Sequence, residues 1–480
     1  MRPFILLLCI GLVLCVTVDE TRFAPPSHRH HFRNIMKQRG GQPAISGPVV
    51  NVLDFGADPT ATVDSRAKIQ SAIDYAFSLC DHEMADGIKD CNGVVINLQG
   101  GQYLLSGPLI FRGYTGNWRM TSGTLRADEQ FNPDDYLVEV GTTDCSNQQQ
   151  SCNQGIGFEF MMFDASHQAS GAARIDHVMG VNFGPQNFVV GFNRTGIEVN
   201  SGHETLVHQC WFGEYYYSDD RKLVGMGTAI VLNGNDHYIV DTIIYGGKIG
   251  VIVNGEASVL KGVHTWNCDT SHGGIGIIIN AGVTRMENCY LDYNNLIFNK
   301  FYLTVVQDTF FLGNGRIIFK PHGEQDVVGF RIANSMYGWG GDGKDTIEID
   351  ESDGHFRNVI NSQVVDTLIE EGVNTIVQTQ VSKKLTQTVA TEWTIDFAPS
   401  LLFKRIAKVQ WSFALEEPCF YRAYAQISGT SVKVVTDVPV TGTLHISVDE
   451  SEEFSFVSYQ TEYINVRITF TICTSLSASS

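Results

Sequence analysis

Seven short runs between Leu206 and Val364 repeat one template, and that repetition restricts the chain to stacked coils. They are LVHQCWF (Leu206 to Phe212), IVDTII (Ile239 to Ile244), LKGVHTW (Leu260 to Trp266), MENCYLDY (Met286 to Tyr293), VVQDTFF (Val305 to Phe311), RIANSMY (Arg331 to Tyr337) and VINSQV (Val359 to Val364). Their spacing of about 20 to 33 residues is that of solenoid coils. An amide or carboxylate precedes a small residue in the aligned pairs Gln209-Cys210, Asp241-Thr242, Asn288-Cys289, Asp308-Thr309, Asn334-Ser335 and Asn361-Ser362, and only Gly262-Val263 departs. Between them lie second runs: TAIVLNG (Thr228 to Gly234), IGVIVNG (Ile249 to Gly255), IGIIINAG (Ile275 to Gly282) and RIIFK (Arg316 to Lys320). Short β-runs with Asn and Gly at the corners predict a parallel β-helix, with Asn side chains stacked up a corner and Val and Ile filling the lumen. A β-sandwich would need hairpin turns and antiparallel alternation throughout, which these runs lack.

The ends of the repeat are also legible. Order is expected from Val49, in VVNVLDFGADPTATVDS, whose Asp64 and Ser65 can cap a helix with the apolar stripe Ile69, Ile73 and Phe77. That helix would cover the open first coil, an otherwise unpaired edge. GVVINLQGGQYLLSGPLIF (Gly93 to Phe111) reads as two strands around a Gly-Gly turn. Past about Gln387 the repeat stops, and period-two runs such as KVQWSFAL and TGTLHISV predict a small antiparallel, sandwich-like β domain to Ser480. The expected division is therefore 1–18 signal peptide, 19–47 leader, 48–386 β-helix and 387–480 terminal β domain.

The apolar run Phe4 to Val16 behind Arg2 reads as a cleaved signal peptide, too short to span a bilayer, and predicts a secreted, extracellular protein. SHRHHFR (Ser27 to Arg33) falls in a polar leader rather than a metal site. The net charge of -19 argues against nucleic acid and demands local Lys or Arg wherever a polyanion binds. Outside Cys9 and Cys15 in the apolar run, most cysteines of an exported chain should be bridged. Cys80 with Cys91 and Cys145 with Cys152 are the nearest pairs, and Cys419 with Cys473 could close the last domain. Cys268 with Cys289 is a further possibility that would leave Cys210 free. Asn193-Arg194-Thr195 is a glycosylation sequon and marks an exposed turn.

The opening NVLDFGADPTATVDS, its helix and GGQYLLSGPL resemble the N-terminal signature of the pectate-lyase superfamily. GVHTWN (Gly262 to Asn267), SHGGIGI (Ser271 to Ile277), NCYLDY (Asn288 to Tyr293), TFFLGNGRIIFK (Thr309 to Lys320) and WTIDFAPSLLF (Trp393 to Phe403) resemble plant QUARTET-type polygalacturonases. The resemblance implies a right-handed β-helix acting on the α-1,4-galacturonan of pectin in the cell wall, an acidic polysaccharide partner, and no cofactor. It does not extend to the usual polygalacturonase motifs NTD, DD, GHG and RIK. Ser271-His272-Gly273 looks like the histidine motif, but Gly250-Val251-Ile252 stands where the paired Asp should be.

Hydrolysis with inversion needs a carboxylic acid and a carboxylate roughly 6.5 to 9.5 Å apart. With coils about 4.8 Å apart and residues about 3.3 Å apart along a strand, Asp241 and Asp292 come out about 16 Å apart, too far for a direct pair. Asp269 and Asp292 come out at about 11 Å on an extended path, which a turn after Asn267 could shorten. Alternation along a strand places Asp241, Ile243 and Tyr245 in line with Gly262, His264 and Trp266, and with Asn288, Tyr290 and Asp292. Catalytic candidates are therefore Asp292, Asp269, Asp241 and His264, with Trp266, Tyr290, Tyr245 and His272 as sugar-binding residues. Asp241 also reads as a plain member of the polar column, and Asp236 and His237 are as readily structural. EYYYSDDRK (Glu214 to Lys222) reads as a loop whose tyrosines could stack on sugars, with Arg221, Lys222, Lys248 and Lys261 as partners for uronate carboxylates.

Two other readings use the same scaffold. A calcium-dependent lyase would recast Asp241, Asp269 and Asp292 as ligands and Lys261 as base. A wall-binding protein without catalysis is the third. A monomer outside any membrane is expected in each case.

Overall fold

The computed structural model describes residues 47–85, 87–141, 145, 151–213, 227–266, 274–338, 343–370 and 375–453. One compact unit begins at Val49. The signal-peptide and leader expectations fall outside the described residues.

Each coil between Leu206 and Phe319 is three short parallel strands. In one coil these are Tyr238–Val240, Ile243–Tyr245 and Ile249–Val253. The first two kinds join a 24-stranded sheet and the third a 10-stranded sheet, so three walls enclose a lumen. Register is kept over many coils: Val207, Ile239, Leu260, Met286, Val306, Ile332 and Val364 align in sequence and are all buried. Each such apolar side chain contributes roughly 1.5–3 kcal/mol on burial. The fold is a right-handed parallel β-helix, as expected.

The polar column at the corner between the first two walls has a backbone cause. Gln209, Asp241, Gly262, Asn288, Asp308 and Asn334 all have positive φ, from 48° to 64°. That left-handed conformation suits Asn, Asp and Gly. Gly262 fits the same rule twice over, because a Cβ there would stand 2.6 Å from Asp241 Oδ1. The following residue turns inward, so Cys210, Thr242, Val263, Cys289, Thr309 and Ser335 are buried. Asn334 Nδ2 donates to Asp308 Oδ1 at 3.3 Å, one rung of the expected stack.

Two placements differ from the sequence reading. The next member of this column is Asp366-Thr367, with φ 55° at Asp366, not Asn361-Ser362. Asn361 belongs to the preceding corner, with Asp236, Ala257, Val283, Leu303 and Gly329, all at positive φ. Both corners use a left-handed residue followed by a buried one, so their sequences look alike. The continuous Asn ladder stands at a third corner, after the second runs. Asn254 donates to Asn233 at 2.7 Å, Asn280 to Asn254 at 2.7 Å, and Asn299 to Asn280 at 2.6 Å.

The helix Arg66–Ser78 covers the first coil with Ile69, Ile73 and Phe77 buried. Asp64 Oδ1 accepts the Arg66 N–H at 3.0 Å. Gln70 closes the edge of the 10-stranded sheet: its amide donates to Ile110 O and accepts from Ile110 N–H, both at 2.9 Å. A side-chain amide thus replaces the missing strand.

At the other end, Gln380–Asp396, Lys408–Leu415, Ala423–Ser428 and Ser431–Asp449 form a four-stranded antiparallel sheet with its own core around Trp393. It starts ahead of the Gln387 boundary read from the sequence. Cys80–Cys91 and Cys145–Cys152 are disulfides. Cys210 and Cys289 are buried free thiols, so the Cys268–Cys289 alternative is not formed. Cys419 is exposed, and Cys473 lies outside the described residues.

Candidate active site

The second wall carries the site. In its strands Ile243–Tyr245, His264–Trp266 and Tyr290–Asp292 the middle residue is in the lumen and the outer two face out. Register then builds two exterior columns. One runs Trp211, Ile243, His264, Tyr290, Phe310 and Met336. The other runs Tyr245, Trp266 and Asp292 and ends at the buried Leu312, with Asp292 following Leu291 as Trp266 follows Thr265.

The aromatic side chains touch. Trp211 stacks on Tyr245 with centroids 5.0 Å apart, and Tyr245 meets Trp266 edge-on at 4.7 Å. His264 meets Tyr290 edge-on at 4.7 Å, and Tyr290 stacks on Phe310 at 5.3 Å. Trp211 and Phe310 were not singled out from sequence, although each occupies the same outward position of the template as His264.

Asp292 is half-buried in this wall, and its Oδ1 is buried without a partner. Burial alone holds its carboxyl above the ordinary carboxylate range. Burial lowers the His264 imidazole, whose Nε2 also lacks a partner, so this ring is neutral at neutral pH. Burial raises the Tyr290 phenol, and the charge of Asp292 adds to that effect. A carboxyl favoured in its protonated form beside aromatic faces is the constellation of a general acid next to a sugar.

The structure brings together Asp292, His264, Trp266, Tyr290 and Tyr245. It places three other candidates elsewhere. Asp241 stands at the corner between the walls, exposed, because its left-handed turn interrupts the alternation assumed for that strand. Lys261 ends a first-wall strand, with Nζ 4.0 Å from Glu287 Oε2. Lys248 lies beyond the Gly246-Gly247 turn, at the start of the third wall. Asp269, His272 and Arg221 lie outside the described residues, as does the whole Glu214 to Lys222 run. His237 is structural: Nδ1 accepts the Thr205 N–H at 3.2 Å, and Nε2 donates to Asn233 O at 2.7 Å. Among the described residues no three His, Cys, Asp or Glu side chains converge as a metal site, and Asp241 stands apart from Asp292.

Fold and site together define a β-helix with an acid set in an aromatic wall. Residues 49–296 match the family model of rhamnogalacturonase A/epimerase, pectate lyase-like proteins. Polygalacturonase QRT3 of Arabidopsis thaliana is 34% identical over 426 residues, covering 85% of each chain. The chain belongs to this pectate lyase-like family. Among solved structures, ORF18 of Geobacillus virus E2 matches 90% of this chain and 82% of its own with a TM-score of 0.52 at 12% identity, a likeness of fold alone.

Proposed function

We propose that this protein is a secreted, monomeric glycoside hydrolase that cleaves α-1,4-galacturonan by acid/base hydrolysis with inversion, without a metal. The observation that carries this reading is Asp292: a half-buried carboxyl with a raised pKa and an unpartnered oxygen, set among Tyr290, His264 and Trp266. Asp292 protonates the glycosidic oxygen, and Asp269 is the proposed base on water. The relative named as a polygalacturonase supports the substrate. No helix among the described residues is long and apolar enough to cross a membrane.

The test is incubation of purified protein with polygalacturonate. Hydrolysis yields new reducing ends without ultraviolet-absorbing unsaturated ends. Unsaturated ends mean elimination, and an unchanged polymer across a broad pH range means binding only. Asp292→Asn should lower kcat by at least about a hundredfold, the scale of general acid–base catalysis. Asp241→Asn should stay within a few-fold, and normal turnover in Asp292→Asn would falsify the assignment.

A further inference from the structure

The chain divides by charge close to where the compact unit begins. From Thr21 to Leu53 there is no Asp or Glu, while Arg22, Arg29, Arg33, Lys37 and Arg39 all fall in the leader, residues 19–47. The whole chain carries -19, so the part from Asp54 onward is more negative still.

In the compact unit, by contrast, cations are interspersed with acids. Arg126 donates to Asp164 at 2.7 Å, Arg194 to Asp134 at 2.6 Å, Arg357 to Asp326 at 2.7 Å and Lys408 to Glu453 at 2.9 Å. Lys261 and Lys248 stand off the second wall, the first with Nζ 4.0 Å from Glu287 Oε2. A polyanion approaching this body meets a field of its own sign, felt over a Debye length of about 8 Å at physiological salt. A basic block ahead of an acidic body is the pattern of an interaction tail.

We propose that the leader is a second, non-catalytic binding element, a cationic tether for an acidic polysaccharide. Its guanidinium and ammonium groups pair with carboxylates along the polymer and release the polymer's counterions, an attraction that depends on charge rather than on a pocket. Tethering then raises the concentration of polymer at the coils. Phe32, Ile35 and Met36 would supply only one apolar turn, too little buried area to hold a lipid surface, so a polymer in water is the better fit. The choice of galacturonan rests on the proposed function; the cationic leader does not.

Full-length Asp292→Asn protein on immobilised polygalacturonate tests this. Retention should fall steeply as salt rises. Arg22→Gln, Arg29→Gln, Arg33→Gln, Lys37→Gln and Arg39→Gln together should weaken binding at least about tenfold and flatten that salt dependence, the combined loss of five exposed charge contacts. An unchanged Tm excludes misfolding. On fully methyl-esterified pectin the two proteins should bind alike, and vesicles containing phosphatidylserine should bind the parent more weakly than polygalacturonate does. Mass spectrometry of the exported protein should find Arg22 to Arg39 intact. Parent-like retention of the Gln variant overturns the inference. So does an equal loss on the methyl ester, tighter binding to the vesicles, or a mature chain that starts beyond Arg39. None of these outcomes depends on hydrolysis, so the hydrolase proposal stands or falls by its own assay.

Discussion

The coils from Leu206 to Ile369 and the sheet from Gln380 to Asp449 are both all-β, yet they spread their stability differently. In the coils every lumen residue has equivalents above and below, so a lost side chain is flanked by intact rungs. The terminal sheet instead gathers one small core around the fully buried Trp393, with Val432, Val434, Leu444 and Ile446. One carboxylate, Glu450, ties the crossing segment Leu402–Arg405 at the junction. A repeating scaffold tolerates a half-buried, partly desolvated acid on one rung, whereas the compact sheet depends on a few irreplaceable groups.

The contrast can be broken most strongly at Trp393. Trp393→Ala should cost about 3–5 kcal/mol and melt the terminal sheet first, seen as an early transition in calorimetry. A single, unshifted transition would refute a locally concentrated core. Next comes Glu450→Ala, which strands three backbone donors and should cost about 2–3 kcal/mol.

Burial also pushes the Glu450 carboxyl up to about 7, from 4.5. A carboxyl that holds its proton more tightly when folded favours the fold most at low pH, and that contribution fades as pH rises through the folded value. The Tm of the parent should therefore fall relative to Glu450→Gln between about pH 5 and 7. A flat difference would contradict the assigned burial effect.

In the coils the expected changes are smaller. Asn280→Ala removes the middle of the Asn ladder and should cost about 1 kcal/mol by denaturant unfolding, because it deletes one donor and one acceptor. Smallest of all is Asp292→Asn, whose Tm should equal or slightly exceed the parent's at neutral pH, since it removes a carboxylate disfavoured by burial. A clear drop would indicate a structural role for Asp292.

Much of this architecture was legible because it rests on local rules. The left-handed corner can be read from Gln209, Asp241, Asn288, Asp308 and Asn334, since few residue types accept that backbone, and Gly262 obeys the same rule without the side chain. The alternation that sends His264, Tyr290, Trp266 and Asp292 outward follows from strand geometry alone. The same rules failed where two corners share one chemistry: Asn361-Ser362 and Asp366-Thr367 are both left-handed-then-buried pairs, and only pairing shows that Gln363, between them, lies beside Arg331. Asp241 was placed on the wall because alternation was carried through its turn.

By itself, then, the sequence determined the repeating coil, its lumen, its capping helix and the outward set of aromatic and acidic residues, because each depends on neighbours along the chain. Tertiary structure alone decided what those residues are. Stacking coils half-buried Asp292 without a counter-ion, which raises its pKa, and folding the terminal sheet back on the last coils buried Glu450, whose carboxyl is pushed up to about 7. Desolvation depends on every atom brought near from distant parts of the chain, and no local pattern encodes it.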